Sequence, residues 1–129
     1  MSEYYIGIMC GTSLDSLDVS LVRFESRDLS VKSFDTYLFN ASLKRKIIRS
    51  KDLKKVSLST QNEISKFISG CVIKTIKRNK LHQSDIHGIG YPGITLNHDP
   101  KKKTSTYMGN PYTIRSSLDI PLVADFRQC

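Results

Sequence analysis

No stretch of the 129 residues approaches the roughly 20 consecutive apolar positions needed to cross a bilayer, which excludes a membrane-spanning helix. The opening Met-Ser-Glu-Tyr-Tyr lacks a basic segment followed by an apolar one, so no secretory leader is expected. Cysteine is scarce. Cys10, Cys71 and Cys129 are odd in number, far apart and without metal-ligand spacing. They point to reduced thiols in a cytoplasmic setting rather than to a disulfide framework. There is also no internal repeat, linker or low-complexity segment, and the length admits one domain at most, 1–129.

Acidic side chains are outnumbered, 12 against 20 Lys and Arg, for a formal net charge of +8. Such a balance invites a nucleic-acid partner, but the distribution argues against one. Lys44, Arg45, Lys46, Arg49, Lys51, Lys54 and Lys55 crowd one short helix and its loop. Lys74, Lys77, Arg78 and Lys80 close a second helix, where cations complement the C-terminal dipole. Lys101–Lys103 form a loop run. No aromatic interleaving marks a nucleic-acid surface, so solvated faces account for the charge. Hydrophobic content of 39% and charged content of 25% are ordinary for a globular domain.

Periodicity predicts an α/β chain with a mixed sheet. Residues 4–10 are nearly all apolar, as in a strand buried on both faces. Residues 17–24 alternate, with Leu17, Val19 and Leu21 on one side. A third strand is expected over about 30–39, after a turn at Asp28. Asn40 suits the N-cap of a short helix carrying Leu43, Ile47 and Ile48. Thr60-Gln61-Asn62-Glu63 reads as a capping box ahead of Ile64, Phe67, Ile68, Cys71, Val72, Thr75 and Ile76. Gly70 inside that helix either permits close approach to the sheet or has no role. Strands are expected at 86–91, 104–108 and 120–124, with a helix over 111–118 begun by Asn110-Pro111.

The chemistry concentrates near the N-terminus. An apolar strand runs into Gly11-Thr12-Ser13, and a second strand starts with Asp15 and Asp18. Gly11 gives an anion room to approach, and consecutive N–H groups in such a turn form a nest for phosphate oxygens. Thr12 and Ser13 add hydroxyl donors, while Asp15 and Asp18 suit Mg2+ held through water. The same residue types also build an ordinary hairpin turn, with Asp bonding its own backbone. Residue types alone leave both readings open.

The wording of that segment, Gly7-Ile8-Met9-Cys10-Gly11-Thr12-Ser13-Leu14-Asp15-Ser16-Leu17-Asp18, resembles the N-terminal signature of the anhydro-N-acetylmuramic acid kinases. That signature usually reads Met-Ser-Gly-Thr-Ser-Leu-Asp-Gly-(Ile/Val/Met)-Asp; here Cys10 replaces Ser and Ser16 replaces Gly, a position that would need attention if it required positive φ. Gly90-Tyr91-Pro92-Gly93-Ile94-Thr95-Leu96-Asn97-His98-Asp99-Pro100 is similar to the family's Gly-x-His-Gly-Gln-Thr-x-x-His-x-Pro, with Pro92 at the His and Ile94 at the Gln. Gly109-Asn110-Pro111 and Val123-Ala124-Asp125-Phe126-Arg127 match two further family elements in order.

The resemblance implies an actin/hexokinase-like (ribonuclease H-like) mixed sheet with flanking helices, present as an incomplete first domain with the second domain absent. It implies ATP and Mg2+, with the nucleotide phosphates at Gly11, Thr12, Ser13, Leu14, Asp15, Ser16, Leu17 and Asp18. The sugar side would take Thr95, His98, Asn110, Asp125 and Arg127, a loop His98 holding its turn being the plainer alternative. The family's general base belongs to a later Gly-Pro-Gly-containing segment, so no catalytic residue is assigned here. The implied reaction converts 1,6-anhydro-N-acetylmuramic acid to N-acetylmuramic acid 6-phosphate during cell-wall recycling in the bacterial cytoplasm. The chain is then a truncated kinase awaiting a C-terminal half or a second copy, half of a split enzyme, or a non-catalytic remnant that binds phosphate or sugar.

Overall fold

The computed structural model describes residues 2–11, 13–99 and 104–124, with side chains throughout except at 95–99 and 104–107. Three strands, β1 (Glu3–Cys10), β2 (Ser16–Glu25) and β3 (Asp28–Leu38), form an antiparallel meander. Helices α1 (Ala41–Leu53) and α2 (Leu58–Arg78) follow, and then β4 (Ile86–Gly90) joins the free side of β1 in parallel. A hairpin of β5 (Ile94–Asp99) and β6 (Thr104–Met108) forms a separate two-stranded sheet. Helix α3 (Pro111–Leu118) leads to β7 (Leu122–Val123), parallel to β4. The main sheet therefore runs β3-β2-β1-β4-β7, mixed in direction, with helices packed on it. This is the α/β architecture that the resemblance implied.

The core lies between one face of the sheet and the helices. Ile6 and Ile8 of β1, Leu17, Val19 and Leu21 of β2, and Ile86 and Ile89 of β4 meet Leu43 and Ile47 of α1 and Ile64, Ile68, Val72 and Ile76 of α2. Burying such side chains contributes about 1.5–3 kcal/mol each. The opposite face differs from expectation. Strand β1 is not buried on both sides: Tyr5 and Met9 remain 39% and 47% exposed. Beside them stand Phe24, Leu29, Val31 and Phe34, also exposed. The register places Tyr5 opposite Val22, Val22 opposite Val31, and Phe24 opposite Leu29, so these side chains form one apolar face. A run of apolar residues alone does not distinguish a strand covered twice from one covered once.

Local expectations are corrected at several points. The β2–β3 turn is Ser26-Arg27, with φ of 50° and 72°, and Asp28 already belongs to β3. Two positive φ values fit a type I′ hairpin, whose twist matches its strands even without glycine. The box at Thr60–Glu63 does not form. Helix α2 begins three residues earlier, where Ser57 Oγ accepts the Thr60 N–H at 3.1 Å. Glu63 instead accepts from Lys46 of α1 at 2.8 Å. Gly70 has no role in close packing, because an added Cβ would meet nothing within 4 Å. Strand β5 was not anticipated, and the last strand shrinks to two residues. Pro121 cannot donate to a ladder; its carbonyl accepts from Ile89 N–H at 2.9 Å.

A polar seam ties α2 to edge strand β3. Asp35 Oδ2 accepts from Thr75 Oγ1 at 3.0 Å, Asp35 Oδ1 faces Arg78 at 3.1 Å, and the Tyr37 and Thr75 hydroxyls lie 2.7 Å apart. Asn79 Nδ2 donates to Ser33 Oγ at 3.0 Å. The seam fixes the angle of α2 and, through it, the segments docked on its first half.

Candidate functional site

Strands β1, β4 and β7 run in the same direction, so their carboxyl ends share one edge of the sheet. The turn from Gly11 leaves β1 there, and Tyr91-Pro92-Gly93 leaves β4 beside it. Strand β7 ends at Val123, just ahead of Asp125. Open α/β sheets bind ligands at this edge, because loops diverge there and backbone donors are not consumed by the ladder. The motifs separated along the chain thus converge.

The turn itself is well fixed. Leu14 N–H donates to the Gly11 carbonyl at 3.1 Å, and Leu14 adopts φ of 57° with its side chain buried. The left-handed residue is Leu14, not Ser16, so Ser16 in place of the family's Gly raises no backbone conflict. An added Cβ on Gly11 would come no closer than 3.8 Å to the Ser13 hydroxyl, so the approach over Gly11 is open. Phe39 N–H donates to the Asp15 carbonyl at 3.0 Å and anchors the turn to the start of α1. Leu14 and Leu17 are core side chains, which leaves only their backbone for a ligand. Thr12 lies outside the described residues.

The two carboxylates have different surroundings. Asp15 forms an ion pair with Lys44 of α1. The Lys44 ammonium first, and the Ser13 hydroxyl second, hold its carboxyl below the usual carboxylate range. Asp18 sits on the open sheet face, accepting from Thr36 Oγ1 at 2.8 Å. Cys10 closes β1 beside them. Burial, and then the Asp18 charge, push its thiol up to about 11, while Lys51 of α1 opposes them. Among the described residues no three His, Cys, Asp or Glu side chains gather around a metal position.

The second segment starts from Tyr91, buried, whose hydroxyl donates to the Met108 carbonyl at 2.7 Å. Gly93 adopts φ of 85° and lets the chain turn into β5, which lies against α1. Thr95 and His98 lie in β5, where Thr95 pairs with Tyr107 and His98 with Ser105. A strand position replaces the loop histidine considered from sequence. Asn110 is the N-cap of α3: Oδ1 accepts from Tyr112 N–H at 2.9 Å and Thr113 N–H at 3.4 Å. Its N–H donates to Ser65 Oγ at 3.0 Å, and Gly109 N–H donates to Gln61 Oε1. Asn110 therefore has a structural task in addition to any ligand contact. Asp125 and Arg127 lie outside the described residues.

Sequence reasoning missed Lys44, Gln61 and Ser65. Lys44 was grouped with a solvated basic face. No local signal pointed from it to Asp15, which the meander brings to the start of α1. Gln61 and Ser65 are polar residues at the inward side of α2, as Thr60, Ser69 and Thr75 are, so their polarity alone did not single them out.

Comparison with known proteins gives the site its context. An anhydro-N-acetylmuramic acid kinase from Sulfurimonas denitrificans is 35% identical over 99% of this chain, and one from Hydrogenovibrio crunogenus 32% over 98%. A Vibrio vulnificus relative of the same name is 28% identical. The chain spans 36% of the length of each. Among solved structures, an Aquifex aeolicus member of the Ppx/GppA family aligns with 98% of this chain and 37% of its own. The sequence identity is 7% and the TM-score 0.49. The family model for anhydro-N-acetylmuramic acid kinase matches residues 3–129, and the chain belongs to that family.

Proposed function

We propose that this chain carries the nucleotide-phosphate turn and part of the sugar wall of an ATP-dependent kinase acting on 1,6-anhydro-N-acetylmuramic acid. The observation that carries the reading is the family's Gly-Thr-Ser signature at the carboxyl end of β1, beside the turn that leaves β4. Backbone N–H groups around Gly11 and Ser13, with the Ser13 hydroxyl, face the phosphates. Asp15, at the turn, is the carboxylate that would hold Mg2+ through water, the usual manner for that ion, while Asp18 lies on the other face of β2 against Thr36. The metal would neutralise charge on the transferring group.

In the complete reaction, a carboxylate takes a proton from water as the water attacks the anomeric carbon. The bond from that carbon to the bridging oxygen breaks, and the freed 6-oxygen accepts the γ-phosphoryl group as ADP leaves. The carboxylate base belongs to a family segment outside these 129 residues. This chain contributes positioning of nucleotide and sugar; Thr95, His98, Asn110, Asp125 and Arg127 are the sugar-side candidates. Pro92 and Ile94, at the family's His and Gln positions, are buried, Ile94 in the core, so neither offers the polar contact that a site built on hydrogen bonds would use. The reading places the protein in a bacterial cytoplasm, completed by a C-terminal half or a second copy. It involves neither nucleic acid nor membrane; no described helix is long and apolar enough to span a bilayer.

NMR titration of the 129-residue chain with Mg-ATP tests the assignment. Amides of Gly11 and Ser13 should shift first. Shifts confined to Lys101–Lys103 would refute it. Coupled ADP release should show no turnover by the chain alone, because losing a general base costs roughly 10²–10⁴-fold. Turnover should appear when the remaining two thirds of a relative is supplied in trans.

A further inference from the structure

Helix α1 carries Lys44, Lys46, Arg49 and Lys51, yet these cations do not have equivalent surroundings. Lys46 is paired across to Glu63 of α2, away from the turn. Lys44 lies on Asp15 within the candidate phosphate site. Its backbone cannot drift from there: Asn40 Oδ1 caps α1 through Leu43 N–H at 2.8 Å, and Leu43 and Ile47 are buried in the core. The Phe39-to-Asp15 hydrogen bond fixes the other side of the gap at 3.0 Å. The ammonium and the carboxylate are both partly exposed, so the pair can open without a packing cost.

A carboxylate next to a phosphate site is unfavourable unless something offsets its charge. A metal ion offsets it once bound; before that, a protein cation must. We propose that Lys44 is a phosphate-binding residue of this turn, resting on Asp15 in the free chain and passing to the phosphate oxygens when nucleotide enters. The proposal rests on the nucleotide reading of the turn and adds a residue that lies outside the family signature. The exchange keeps the charges paired. Asp15, released, would be free to orient water around a bound Mg2+, and the ammonium moves a few ångströms, within reach of four rotatable bonds. Lys51, two turns further along the same face of α1 and near Cys10, adds to the same positive field.

The test is an NMR titration of the whole chain with two probes, Mg-ATP and metal-free tripolyphosphate. Lys44→Gln should weaken both about fivefold, the effect of one unit charge a few ångströms away in a watery site. Lys44→Arg and Lys46→Gln should stay within about twofold of the parent chain. The Lys44→Gln loss should persist in an Asp15→Asn background, where a lysine that merely screened Asp15 would have no further effect. The Asp15 carboxyl should titrate at higher pH in Lys44→Gln and stay where it is in Lys46→Gln, while the Leu14 and Phe39 amide shifts of the folded turn are retained.

Equal losses in Lys44→Gln and Lys46→Gln, loss of the effect in Asp15→Asn, or a turn that responds to neither probe would each overturn the proposal. If tripolyphosphate binds through Lys44 while Mg-ATP leaves the turn unmoved, the nucleotide reading fails and the anion site stands. If Mg-ATP shifts Gly11 and Ser13 regardless of residue 44, the nucleotide reading stands and the role of Lys44 is refuted.

Discussion

A Cβ placed on Gly109 would lie 2.1 Å from the Tyr91 hydroxyl, the group that donates to the Met108 carbonyl. Gly109 also adopts φ of 90°, so the position tolerates no side chain on either count. This contact joins the segment after β4 to the segment before α3. Gly109→Ala should cost about 2–4 kcal/mol in chemical denaturation. Tyr91→Phe should cost roughly 1–3 kcal/mol, because it strands a buried carbonyl. In the double variant the cost of Ala should fall, since the clashing oxygen is gone.

The start of α2 offers a second test. Ser57→Ala should lower stability by about 1 kcal/mol through the lost cap. Glu63→Ala should change it by less than about 0.5 kcal/mol, because its partner is a half-exposed lysine. The reverse ranking would restore the capping box at Thr60.

Gly70→Ala should stabilise the chain by about 1 kcal/mol, the helix-propensity difference, since the space beside Gly70 is empty. Thermal unfolding of the two proteins measures this directly.

Cys10, with its thiol pushed up to about 11, should alkylate at pH 8 roughly a hundredfold more slowly than an ordinary exposed cysteine. The rate should climb with pH up to that value. Asp18→Asn removes a charge that raises the pKa and should accelerate the reaction. Peptide mapping after a timed iodoacetamide pulse distinguishes Cys10 from Cys71.

Uncovered apolar area on the sheet should bind a hydrophobic dye and promote concentration-dependent association. Val31→Thr with Phe34→Ser should reduce both, at less than about 1 kcal/mol of stability, because the two side chains are 64% and 63% exposed. Size-exclusion chromatography across a concentration series is the measurement.

Elements with a strong period were legible in the sequence. The alternation of Leu17, Val19 and Leu21 located β2, and the spacing from Ile64 to Ile76 located the buried face of α2. Asn40 and Asn110 were readable as caps because Asx oxygens meet helix donors at fixed offsets. Competing signals hid the rest. Ser57 and Thr60 are both good caps, and only the docking of α2 selects the earlier one. Which face of β1 is covered depends on helices far along the chain. The Gly11 turn was readable as a candidate site from its wording. Its pairing with Lys44 was not, since no local rule links residue 15 to a lysine in the helix after the meander.

Strand β1 pairs antiparallel with its neighbour in sequence and parallel with a strand that begins at Ile86. The two ladders must therefore form on different clocks. The meander closes through two short turns, whereas Tyr4 meets Ile86 only after α1 and α2 have been laid down. Parallel closure over so long a loop carries its entropic cost before any contact rewards it. The carboxyl-edge site, shared between β1 and β4, is consequently a late product of folding. A chain arrested with its meander complete would hold the Gly11 turn without the wall that faces it.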